Sequence, residues 1–141
     1  MSDLPDLVPE TPAARPSPAV QASRWGALLA ALALGLLAVG WELAWAPTGR
    51  GTLAIKAVPL FLALPGLWRL RLYTYRWLSL VVWLYVTEGL VRATSESGTG
   101  ATLALVEVVL GVLLFTACAL HVRQRLAAGR AVVAAATAPT R

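Results

Sequence analysis

The feature that most restricts this chain is a series of long apolar runs that arginines bound rather than enter. From Trp25 to Trp45 the only ionisable residue is Glu42. At 1.5 Å per residue a helix over that run is about 30 Å long, the thickness of one hydrocarbon core. Further runs follow at Gly51–Trp68, Trp77–Val91 and Ala101–Val122. The third is short unless its flanks count, and with Tyr73 before it and Arg92 after it the run reads as a span over 73–92. The expectation is an all-α integral membrane bundle of four transmembrane helices, over about 25–45, 51–68, 73–92 and 101–122.

Composition supports lipid over water as the solvent. Hydrophobic residues make up 58% of the 141 positions and charged ones 13%, against roughly 45–50% and about 25% in soluble domains. A soluble fold this small lacks the interior to hide so much apolar surface. The net charge of +5 does not suggest nucleic acid, because the arginines form no continuous stripe. They sit in short clusters between apolar runs, as membrane anchors do. A single cysteine, Cys118, rules out an intrachain disulfide.

Residues 1–23 carry five prolines among Asp, Ser and Ala and have no apolar period, so they read as a disordered tail. Residues 24–125 form the expected transmembrane domain, and 126–141 an Ala-rich tail. Ala44-Trp45-Ala46 resembles a signal-peptide cleavage site, but Pro47 would follow the cut and the run is long, so the segment is expected to be retained. Pro59 and Pro65 interrupt the second run. Such breaks are tolerated in a bundle where neighbouring side chains satisfy the freed carbonyls.

With four spans, Arg15, Arg24, Arg69, Arg71, Arg76, Arg123, Arg125, Arg130 and Arg141 share one side, and only Arg50 and Arg92 fall on the other. The positive-inside rule then puts both termini and the central arginine-rich loop in the cytoplasm.

Four ionisable residues fall inside the runs: Glu42, Lys56, Glu88 and Glu107. Counted from the run ends, all lie roughly 5–9 Å below the same outer interface. Together with Arg92 they make a candidate intramembrane charge cluster. Small residues lead to Glu42 (Ala31, Gly35, Ala38) and follow Glu107 (Gly111, then Leu114 and Cys118) on single helix faces, which favours inward-pointing carboxylates. Glu88 precedes Arg92 in the favourable i, i+4 order. A tight turn at Pro47–Gly51 is expected to bring Glu42 to Lys56, and Glu107 is left with no evident cation. Arg69, Arg71, Tyr73, Tyr75, Arg76 and Trp77 are candidate contacts to lipid headgroups, an interfacial belt of aromatics and snorkelling arginines.

The segments Pro59–Leu67, Tyr73-Thr74-Tyr75-Arg76-Trp77, Tyr85-Val86-Thr87-Glu88-Gly89, Arg92-Ala93 and Leu105-Val106-Glu107 resemble a family of small bacterial membrane proteins, domain of unknown function 2069, over about residues 25–125. The resemblance implies four spans in the bacterial cytoplasmic (inner) membrane. It implies no activity.

No phosphate-binding loop, dinucleotide fingerprint or paired-cysteine metal site is present. His121 lacks companions for a metal, and Ser79 and Ser95 lack a base to activate them. The expected protein is non-enzymatic, with no catalytic residue, metal or cofactor. Its expected companions are the lipid bilayer and either a second copy or a membrane-protein partner. The first functional expectation is a structural or accessory component of a membrane assembly. The alternative is a small oligomeric transporter or ion/proton conductor using the carboxylates near the outer face.

Overall fold

The computed structural model describes residues 15–45 and 52–139. The turn expected at Pro47–Gly51, and the residues flanking the described chain at either end, lie outside the described residues. Four helices follow in order: α1 (Pro18–Gly40), continued by a π-helical turn (Trp41–Trp45), then α2 (Thr52–Trp68), α3 (Leu72–Ser95) and α4 (Thr99–Thr137). There is no strand among the described residues.

The first helix starts earlier than the sequence reading allowed. The tail over 1–23 was expected to be disordered, yet the chain is helical from Pro18. Ser17 is the N-cap, its Oγ accepting from the Val20 N–H at 3.4 Å, and Pro18 sits in the first turn, where a missing N–H costs nothing. Val20 and Ser23 are then buried. The Ala-rich tail over 126–141 is likewise helical to Thr137, as the high helix propensity of alanine favours. At 39 residues, α4 is about 58 Å long and runs well past the other helices.

The hairpin of α2 and α3 is closed by a specific hydrogen-bond pair. The Arg71 N–H donates to the Gly66 carbonyl at 3.0 Å and the Leu70 N–H to the Leu67 carbonyl at 3.2 Å. This is the Schellman pattern that satisfies the last carbonyls of a helix. Its left-handed position is Leu70, with φ 55°, where glycine is usual. Between α3 and α4 the positive φ falls at Gly98, the N-cap of α4, with φ 64°.

α3 and α4 make the broadest contact, α1 packs on both α4 and α2, and α2 meets α3 along a thinner seam. Neighbours are antiparallel: Trp83 meets Phe115 at 5.2 Å between ring centroids, and Tyr75 stacks on His121 at 3.8 Å. The core holds Ala27, Ala31, Leu34, Leu60, Ala63, Leu67, Leu78, Val82, Leu114 and Cys118. Ala104, Glu107, Gly111, Leu114, Cys118 and His121 form one buried face of α4. Gly89 lets α3 and α4 close up, since a Cβ there would lie 2.8 Å from Val108 and 3.1 Å from the Ala104 carbonyl.

The outside is as apolar as the core. α2 exposes Ile55, Val58 and Leu62, and α3 exposes Leu80, Trp83, Leu84, Leu90 and Val91. α1 and α4 are by length and composition apolar enough to cross a membrane.

Candidate functional site

The hairpin of α2 and α3 sets Lys56 level with Tyr85 and Glu88, about two turns before the C-terminal end of α3 at Ser95. The Lys56 ammonium pairs with the Glu88 carboxylate, and the Tyr85 hydroxyl donates to the Lys56 carbonyl. Pro59, three residues on, has no N–H, which deprives the neighbouring Ile55 carbonyl of its helical donor.

Arg92 closes the cluster from the next turn of α3. Its Nη1 lies 4.0 Å from Glu88, and its Nε donates to Glu96 at 3.1 Å. The guanidinium also stands 3.9 Å over the Trp41 ring, at the start of the π-helical turn, a geometry that favours a cation. Glu107 approaches from α4. It is 8% exposed, and its carboxyl meets no hydrogen-bond partner among the described residues.

Lys56, Glu88, Arg92 and Glu107 thus line one small cavity, with Leu37, Ala38, Trp41 and Tyr85. Its volume is about 10 Å³, at the lower edge of what a single water needs. A second hollow of about 200 Å³ lies between α2 and α3, sharing Lys56, Tyr85 and Glu88 and walled by Pro59, Val81 and Leu84. The charged pair therefore lies between the small cavity and the hollow at the α2–α3 surface. Lys56 and Glu88 side chains are 41% and 26% exposed.

The pairing of Lys56 with Glu42 expected through the turn after α1 lies outside the described residues; among those, Lys56 is engaged by Glu88 across the α2–α3 hairpin. The expected Glu88–Arg92 pair is present at 4.0 Å, and Arg92 also makes a shorter contact to Glu96, one turn further on. Sequence reasoning missed Trp41 as a partner of Arg92 and Glu96 as its anchor. The signal available was the Glu–Arg–Glu spacing of 88, 92 and 96, with i, i+4 steps on both sides of the arginine.

At the other end of the bundle the expected headgroup contacts separate. Arg69, Arg71, Tyr73 and Arg76 are exposed, Tyr73 at 78%, while Trp77 is half-buried against the core. Tyr75 is corrected: it is fully buried, stacked on His121, with its hydroxyl donating to the Leu67 carbonyl at 3.0 Å. His121 is also fully buried. Its Nδ1 lies 3.0 Å from Ser23 Oγ, and its Nε2 has no partner among the described residues. Trp25 and Trp68 meet edge to face at 5.6 Å with the Arg24 guanidinium 5.4 Å from each ring. No group of three or more His, Cys, Asp or Glu placed to hold a metal ion is found among the described residues.

An apolar helical bundle that exposes large apolar side chains along every helix and brings its described carboxylates together with Lys56 and Arg92 at one end is a membrane protein. Residues 26–126 match the family described as "Predicted membrane protein (DUF2069)", and the chain belongs to it. No curated protein and no solved structure matches the chain.

Proposed function

We propose that this protein crosses the bacterial inner membrane four times, with both termini and the α2–α3 turn in the cytoplasm. We further propose that it serves as a non-enzymatic structural or accessory component whose intramembrane charges lock its helices in register. The observation that carries the second reading is the way the charges are used. Glu88 faces cations from two helices, Arg92 is held by Glu96 and Trp41, and the space they enclose has no room for a substrate. Polar groups in lipid specify helix partners because the alternative is an unsatisfied charge in hydrocarbon.

The four-span reading is supported by the exposed apolar residues of α2 and α3 and by the distribution of arginines. A second reading, a small oligomeric proton or cation conductor, has one observation in its favour. The buried Glu107 carboxyl sits beside a Lys56–Glu88 pair that also borders the hollow facing lipid. Reconstitution in proteoliposomes separates the two. A register lock passes no proton, cation or cationic dye under an imposed gradient. Flux abolished by Glu107→Gln in a folded variant would establish the conductor and overturn the lock. Gentle purification should recover the protein with a second copy or another membrane protein; a lone monomer would count against an accessory role.

A further inference from the structure

The structure assigns a binding site for one anionic phospholipid to the groove between α3 and the protruding part of α4. The groove has a volume of about 530 Å³. Its apolar floor is made by Leu80 on α3 and by Phe115, Ala119, Val122 and Leu126 on α4. From Phe115 to Leu126 that floor extends about 16 Å along the helix, close to half of a roughly 30 Å hydrocarbon core, the depth of one leaflet and of one acyl chain.

Three arginines line the groove: Arg76 from α3, and Arg123 and Arg130 from α4. Arg123 and Arg130 are seven residues apart and share a face, two turns and about 10 Å along the axis. None of the three has a carboxylate partner among the described residues, whose ion pairs all lie at the opposite end of the bundle. Arg130 gives one N–H to the Leu126 carbonyl at 3.4 Å, which leaves its terminal nitrogens free. Ser79 also lines the groove, but its hydroxyl proton goes to the Arg76 carbonyl at 2.7 Å, so recognition falls to the guanidiniums.

Guanidinium forks match phosphate oxygens bidentately, and basic pockets beside apolar helix grooves suit anionic headgroups. An apolar trough one leaflet deep, bordered by three arginines with no carboxylate partner among the described residues, fits a lipid bearing net negative charge better than a zwitterionic one. The site needs only that the protein lie in a bilayer and is independent of whether the charges at the other end lock or conduct. The α4 arginines were read in the sequence only as markers of orientation, because Arg76 joins them through the folded contact of α3 and α4.

The test uses the full chain purified in a neutral detergent, with phosphatidylglycerol and phosphatidylethanolamine of identical acyl chains as probes and bound lipid counted by native mass spectrometry. Phosphatidylglycerol should be retained preferentially. The double change Arg123→Gln/Arg130→Gln should weaken that retention by about ten-fold or more, the equivalent of losing one charge-assisted hydrogen bond. Arg15→Gln, exposed ahead of α1 and outside the groove, should leave it unchanged. Both variants should unfold at the wild-type temperature, since these side chains are on the surface. Equal retention of the two lipids, or equal loss from Arg15→Gln, would overturn the site. So would a sharp gain in phosphatidylglycerol uptake after Asp3→Asn, Asp6→Asn and Glu10→Gln, which would mean that the chain's own acidic N-terminal segment fills the groove.

Discussion

Glu88 is the one described anion within reach of cations on two helices. Glu88→Gln keeps its shape and removes its charge, leaving Lys56 without its described carboxylate and Arg92 with Glu96 alone. The expected cost is about 1–3 kcal/mol, toward the lower end because the pair is partly exposed. Lys56→Met should cost less, since its stem can still pack. The double variant should be less destabilised than the two changes summed, with a coupling of about 1 kcal/mol; unfolding in detergent followed by far-UV circular dichroism measures all three. Strict additivity would show the pair to be energetically idle. His121 offers a second probe. Its ring stacks on Tyr75 while Nε2 is buried without a partner, and Ser23 retains its bond to the Val20 carbonyl at 2.9 Å when the imidazole is gone. His121→Phe should therefore be nearly neutral, within about 1 kcal/mol, whereas His121→Ala should cost about 3 kcal/mol through the cavity it leaves.

At the level of helices, two positions test how the elements are joined. Leu70 occupies the left-handed position that closes the α2–α3 hairpin, a conformation that costs an L-residue roughly 1–2 kcal/mol. Leu70→Gly should raise stability by up to about 1 kcal/mol, part of the relief being offset by the freer unfolded chain. Gly89→Leu should do the reverse, forcing α3 from α4 beside the charged cavity at a cost of about 1–3 kcal/mol; the same unfolding assay reads both. How much of this architecture was legible depends on which interactions are local. The apolar runs and the small-residue faces of α1 and α4 follow from spacing along one helix, and the buried face Glu107–Gly111–Leu114–Cys118 could be read directly. The rotation of α3 could not. Tyr73 and Tyr75 look alike in sequence, yet two residues turn a helix by about 200°, so one faces out and the other is sealed against His121. The Lys56–Glu88 pair was hidden for a related reason. The two residues are 32 positions apart, and only the folded hairpin brings them together. The start of α1 was obscured because proline-rich composition outweighed a short N-cap signal at Ser17-Pro18.

Across the whole molecule the charges divide by end. The described carboxylates gather with Lys56 and Arg92 near one pole, while Arg24, Arg69, Arg71, Arg76, Arg123, Arg125 and Arg130 mark the other. Two arrangements in a bilayer are compatible with α1 and α4 both crossing. In one, α2 and α3 also cross; in the other they fold as a hairpin outside, with the arginine-rich turn on the far side. The second is physically poor. It would hand Ile55, Leu62, Leu80 and Leu84 to water, all of them at least two-thirds exposed, and it would require Arg69, Arg71 and Arg76 to be translocated against the positive-inside preference. Cysteine accessibility distinguishes the two, because Cys118 is fully buried and should stay silent toward a membrane-impermeant thiol reagent. Introduced singly, Ser97→Cys at the exposed α3–α4 connection should label in intact cells under both arrangements. Arg71→Cys, exposed at the α2–α3 turn, should label only after the membrane is permeabilised if four helices span. Labelling of Arg71→Cys in intact cells, at the rate seen for Ser97→Cys, would mean that only α1 and α4 cross. The charged cavity would then sit in a bundle half outside the lipid, and the case for a lock that works by excluding water would fall with it.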